Sequence, residues 1–309
     1  MIYLFLIIGF IILLIGGKTL VDGASAIAVK LGMSPGLIGL TIVAFGTSAP
    51  ELLVSITAAL KGTSDIAIGN VVGSNISNIT LVLGSAAILY PISINRNILK
   101  WDYSFTLASS ILFFLLALDG LISLWDGIFL LVLLVIANWI LIRKSQNNSE
   151  ESGEEEIKKA GNQPLWKAIG LILLGIVGLY YGSELLVNNA ITIAQQYGIS
   201  ERIIGVTIIA IGTSLPELTT SILAALKKET DIALGNILGS NLQNILSIIG
   251  VTAIIHPMNV SQLFLSSDFL WMMGFTALLF PIMRTGFKIG RWEGGLLIAL
   301  YGLYLIALL

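Results

Sequence analysis

Two acidic side chains sit where the chain is otherwise most apolar. Glu51 closes the stretch "GTSAPE" (46–51), Glu217 closes "GTSLPE" (212–217), and each follows a proline by one residue. Pro50 and Pro216 have no N–H, so the carbonyls of Gly46 and Gly212 lose their helical partner and the preceding turn loosens. In hydrocarbon such a carbonyl persists only where protein, water or an ion satisfies it. If helix resumes after the proline, Thr47, Glu51 and Ser55 fall on one polar stripe, repeated by Thr213, Glu217 and Ser221. Asn70, Ser74 and Asn78 form another stripe, echoed by Asn236, Ser240 and Asn244. Every one of these side chains offers oxygen, and none offers sulfur or imidazole. Hard oxygen ligands select sodium, calcium or magnesium over transition metals.

Charge narrows the choice. Two carboxylates meeting in low dielectric repel each other, and one divalent cation neutralises both. Calcium tolerates flexible shells of about six to eight oxygens, whereas magnesium resists dehydration. The residues therefore favour calcium, with sodium as the competitor. Taken singly, each motif also has a packing explanation. Small residues such as those in "GNVVGSN" mark close helix contacts, and asparagines hydrogen-bond between helices. A membrane carboxylate beside a helix break, present twice, points instead to function. Asp65 and Asp231 fit helix N-termini, and Asp119, Asp126 and Asp268 read as interfacial.

The elements that must hold these residues are membrane helices. Of 309 residues, 56% are hydrophobic and 11% charged, and the mean hydropathy is +0.95. Soluble chains carry roughly 25% charged residues. Apolar runs of about 20 residues recur throughout, as in a polytopic helical membrane protein. The absence of cysteine excludes disulfides and thiolate metal sites, and a lone His256 argues against zinc and histidine-based catalysis. The opening "MIYLFLIIGFIILLIGG" reads as a first membrane helix rather than a leader, because its Gly9 and Gly16 recur as Gly175 and Gly182. Trp101, Trp125, Trp166 and Trp292 fit interfacial aromatic belts.

Shifted by 166 positions, the sequence overlays on itself. "GLTIVAFGTSAPE" (39–51) shares nine of thirteen residues with "GVTIIAIGTSLPE" (205–217), and "DIAIGNVVGSNISN" (65–78) nine of fourteen with "DIALGNILGSNLQN" (231–244). Hydropathy places five spans in each half, near 2–29, 36–60, 66–91, 103–119 and 123–142, then 165–195, 203–226, 232–255, 264–283 and 292–309. Five is odd, so the second half enters from the opposite side, as in the inverted repeats of secondary transporters. The expected fold is an all-α polytopic membrane protein: ten transmembrane helices in two inverted repeats of five (1–142 and 165–309), joined by an acidic linker (143–164). Loops after odd-numbered spans carry thirteen Lys and Arg residues, against Lys61 and Arg202 on the other side. That bias makes the linker cytoplasmic and both termini extracellular. The linker's glutamates (150, 151, 154, 155 and 156) form no calcium-binding loop and read as a solvated connection.

With these residues in hand, the chain resembles the calcium/cation antiporter superfamily, most closely its prokaryotic-type sodium/calcium exchanger branch. "GTSAPE…GNVVGSNISN" and "GTSLPE…GNILGSNLQN" resemble that family's two alpha-repeats. The proton/calcium branch usually shows "GN-x-x-E" at the first motif, so "GTS-x-P-E" favours sodium coupling. The resemblance implies that Glu51 and Glu217 are the central calcium ligands and that Thr47 and Thr213 contribute backbone carbonyls. Ser48, Ser214, Ser74 and Ser240 would line sodium sites, Asn78 and Asn244 would flank the centre, and Ala44 and Ala210 complete the ion-site positions. Some relatives carry aspartate at one of the two asparagine positions, so Asn244 argues against potassium dependence. The resemblance also implies that the first and sixth helices slide over the other eight to alternate access.

The expected function is therefore sodium/calcium antiport at a cell membrane through one midplane site. The alternatives are a proton/calcium antiporter and a cation channel. Channels usually build their filter around an oligomeric axis, whereas here one chain carries both halves of the site, so a monomer suffices. An intramembrane enzyme lacks a nucleophile–base pair or His-rich metal motif. The expected partners are calcium ions, sodium ions and the lipid bilayer, with no cofactor and no nucleic acid.

Overall fold

Segments this apolar have no water to bond in hydrocarbon, so their backbone groups must pair within helices. In the computed structural model, which describes residues 2–31, 33–146, 164–197 and 210–308, they do so. The helices are α1 (Ile2–Leu31), α2 (Pro35–Thr47), α3 (Ala49–Leu60), α4 (Ser64–Leu89), α5 (Ile98–Ala117) and α6 (Leu124–Gln146). The second half supplies α7 (Leu165–Gln196), α8 (Ala210–Thr213), α9 (Leu215–Leu226), α10 (Thr230–Ile255), α11 (Phe264–Arg284) and α12 (Arg291–Leu308). Among the described residues, eight helices are long and apolar enough to cross a membrane, and α2 with α3, bent by 45°, makes a ninth. The span expected at 203–226 is described only from Ala210, and residues 147–163 of the linker lie outside the described residues.

Burial sorts the helices into a centre and a periphery. The spanning window of α10 is 89% buried and that of α4 is 72% buried, against at most 33% for any other spanning helix. Outer helices turn Ile15, Trp139, Leu174 and Ile306 outward, as lipid contact requires. Between helices in lipid there is no hydrophobic drive, so small residues that admit close backbone approach set the contacts. The α1–α7 crossing shows this: a Cβ on Gly16 would lie 2.7 Å from Leu179 N, and one on Gly182 2.6 Å from Leu13 N.

Two features were not anticipated. The all-α expectation leaves out four two-residue strands: β1 (Ile92–Ser93) pairs antiparallel with β4 (Lys288–Ile289), and β2 (Leu121–Ile122) with β3 (Met258–Asn259). Each pair joins one repeat to the other, and the 166-residue shift carries β1 onto β3. Several helices also contain π turns, at 39–43, 78–82 and 98–102, and again at 244–249 and 264–268. π turns are rare and often fall at functional sites. Two of them begin at Asn78 and Asn244.

Candidate cation site

The helix breaks fall where the prolines require them, and the two are congruent. Ser48 has φ −86° and ψ 7°, Ser214 φ −88° and ψ 6°, and helix resumes after each with the proline and then the glutamate in its first turn. That position puts each carboxylate at the positive end of a helix dipole. Glu51 and Glu217 are each only 1% exposed. α4 and α10 pack beside the breaks and bring Ser74, Asn78, Ser240 and Asn244, all buried.

Polar contacts cross from one repeat to the other. Ser48 donates to Glu217 Oε1 at 2.9 Å, and Ser240 lies 3.5 Å from the same oxygen. Thr47 Oγ1 donates to Ala44 O (3.2 Å) and to Asn236 Oδ1 (3.1 Å) and lies 3.4 Å from Ser240 Oγ. Ser214 is 2.7 Å from Ser77, a residue outside the predicted stripes. Four stripe residues hold helices together: Asn70 donates to Ser55 (3.0 Å), and Asn236 to Ser221 (2.9 Å). Thr213 ends α8, and Ala210 begins its described part.

The Gly212 carbonyl, freed by Pro216, accepts a hydrogen bond from Ser183 of α7 at 3.0 Å. Of the three kinds of partner expected for such a carbonyl, protein is the one found here. The counterpart of Ser183 in the first repeat is Gly17, which has no hydroxyl to offer.

Sequence reasoning missed Asn75 and Asn241, both buried where α4 meets α10. Asn78 Nδ2 donates to Asn241 Oδ1, and Asn244 Nδ2 to Asn75 Oδ1, each at 3.1 Å. The available signal was the "GSN" triplet, which recurs unchanged at 73–75 and 239–241.

After these bonds are made, a group of buried oxygens has no hydrogen-bond partner: Glu51 Oε2, Glu217 Oε2, Ser74 Oγ, Asn78 Oδ1 and Asn244 Oδ1. All five belong to the predicted ion-site set; four further buried oxygens without a partner, on Asn138, Thr220, Gln243 and Thr252, lie outside it. Two of them are anionic and three neutral, which suits a cation of low charge. No group of three or more His, Cys, Asp or Glu residues gathers among the described residues.

Broken membrane helices that face each other with paired carboxylates define a multi-pass membrane transporter of cations. The chain belongs to the sodium/calcium exchanger family, whose description, "Sodium/calcium exchanger protein", matches residues 1–143 and 167–309. It is 41% identical over 303 residues to the putative antiporter CaxA of Alkalimonas amylolytica, covering 96% of this chain and 94% of that one. It is 34% identical to the sodium/calcium exchanger MaX1 of Methanosarcina acetivorans, covering 99% and 98%. The solved sodium-calcium exchanger NCX_Mj, soaked without sodium or calcium, superposes with a TM-score of 0.85 at 32% identity, covering 99% of this chain and 98% of that one.

Proposed function

We propose that this protein exchanges sodium for calcium across a cell membrane by alternating access to one central site. One observation carries the proposal: five buried oxygens from both repeats lack hydrogen-bond partners, and two of them are carboxylate oxygens. A buried polar group left unsatisfied costs about 1–3 kcal/mol, and more if it is charged. A cation bound among them offsets that cost. Glu51 and Glu217 supply the charge for calcium. Thr47 and Thr213 supply backbone oxygen, with Ala44 and Ala210 one turn before them. Ser48, Ser74, Ser214 and Ser240 line sodium positions, and Asn78 and Asn244 flank the centre as neutral groups. The names of the relatives MaX1 and NCX_Mj support the same ion pair.

The scaffold we propose has ten spans in two inverted repeats, 1–142 and 165–309, with a cytoplasmic linker at 143–164 and both termini outside. The cross-repeat pairing of β1 with β4 and of β2 with β3 supports that arrangement. Shared ligands cannot hold calcium and sodium at full occupancy together, so the two ions compete, and competition couples their gradients without a second site.

The experiment uses proteoliposomes loaded with sodium and diluted into sodium-free buffer containing labelled calcium. Calcium accumulates inside, and uptake collapses when sodium is equal on both sides. Uptake driven by protons and indifferent to sodium would establish proton/calcium exchange instead. Calcium flux that neither saturates nor needs a counter-ion would establish a channel.

A further inference from the structure

Asparagine is an ambivalent cation ligand, because its carboxamide carries an oxygen at one end and an N–H donor at the other. Asn78 and Asn244 bind a cation only if the oxygen leads. The buried contact between α4 and α10 decides which end leads, and the decision starts from backbone carbonyls, which can only accept.

Asn241 Nδ2 donates to the carbonyl of Asn75 at 3.2 Å. With its nitrogen committed there, Asn241 must turn Oδ1 the other way, where it accepts from Asn78 Nδ2 at 3.1 Å. Asn78 has then spent its nitrogen, and its Oδ1 is the end left without a partner. The same chain runs through the other repeat. Asn75 Nδ2 lies 3.5 Å from the carbonyl of Asn241, its Oδ1 accepts from Asn244 Nδ2 at 3.1 Å, and Asn244 Oδ1 is left over. Reversing either site amide would face two oxygens together, and reversing its neighbour as well would set that neighbour's oxygen against a backbone carbonyl. All four asparagines are at most 1% exposed, so such a clash is costly. The polarity of the network is therefore self-consistent in one direction only.

We propose that Asn75 and Asn241 are positioning residues that fix the carboxamides of Asn244 and Asn78 oxygen-first toward the transported cation. Each acts on the ligand of the opposite repeat. The inference rests on the cation-exchange reading above. Without the positioning partner, the ligand's N–H turns toward a site lined by carboxylate oxygens and competes with the cation for them.

The test is a double-mutant cycle on calcium binding to the purified full-length protein, measured by titration calorimetry. Leucine has the same branched shape as asparagine, though it is larger, and its side chain cannot hydrogen-bond. Asn241→Leu weakens calcium binding by about tenfold in the native background, the upper scale of one neutral hydrogen bond. In the Asn78→Ala background, where no amide remains to be oriented, the same substitution costs less than about twofold, a non-additivity that a merely structural role does not produce. Equal losses in both backgrounds, or no loss in the native one, would overturn the proposal. If Asn241→Leu does not fold, Asn75→Leu against Asn244→Ala is judged by the same two criteria. A native protein that binds no calcium refutes the exchange reading itself, an outcome distinct from an additive cycle in a protein that binds it.

Discussion

Ser48 donates to Glu217 Oε1 at 2.9 Å, whereas its repeat counterpart Ser214 turns to Ser77 instead of to Glu51. Two nearly identical motifs thus treat their carboxylates differently. A hydrogen bond to a charged group is worth about 1.5–3 kcal/mol. Ser48→Ala should therefore loosen Glu217 and raise the calcium concentration for half-maximal exchange by about tenfold or more. Ser214→Ala, whose hydroxyl serves another serine, should raise it less than about threefold. Calcium titrations of exchange by the two variants, side by side, check the difference, and equal effects would remove it.

Glu51→Gln and Glu217→Gln should each abolish calcium exchange while the protein stays folded. Each removes one of the two charges that compensate the divalent ion, and losing a buried ionic partner costs about 3–5 kcal/mol, at least a hundredfold in affinity. Flux assays with a gel-filtration check of folding decide it. Near-native calcium affinity in either variant would take that glutamate out of the site.

Ser183→Ala should lower thermal stability, because it strips the Gly212 carbonyl of its donor inside the membrane. An unsatisfied buried acceptor costs about 1–3 kcal/mol. Thr192→Ala serves as the control on the same helix, since its hydroxyl is exposed and bonds to Asn188 O one turn back. The thermal midpoint should fall clearly for Ser183→Ala and stay near native for Thr192→Ala.

The protein has no cysteine, so single introduced cysteines report topology cleanly. One at Ser152, in the linker, should resist impermeant thiol reagents added outside intact cells. One at Gly62, in the turn between α3 and α4, should react readily. Ready labelling at Ser152 would reverse the proposed orientation.

What the sequence makes legible here is whatever depends on local covalent rules. Pro50 and Pro216 announce the breaks, and the breaks occur one or two residues before them. The four-residue spacing of Thr47, Glu51 and Ser55 foretells one buried stripe, and all three are buried. Which polar side chains remain available to an ion is a different matter. Ser55, Asn70, Ser221 and Asn236 share those stripes yet bond across helices. Asn75, Asn241 and Ser77 lie off the four-residue rows, and their partners come from the other half of the chain, a distance no local pattern encodes. The π turns are hidden for a similar reason, since each shifts the helical phase without a residue type of its own.

The two strand pairs carry a consequence for biosynthesis. Ile92 waits for Ile289, about 200 residues downstream, before β1 has anything to pair with. At ~5–20 residues per second, the ribosome needs on the order of 10–40 seconds to supply it. For more than half of that interval the first repeat sits in the bilayer with Glu51 made and Glu217 not yet translated. A nascent chain in that state has half a binding site and two unclaimed strands, one at each end of its helices. It is therefore a substrate for whatever machinery shelters unfinished membrane proteins.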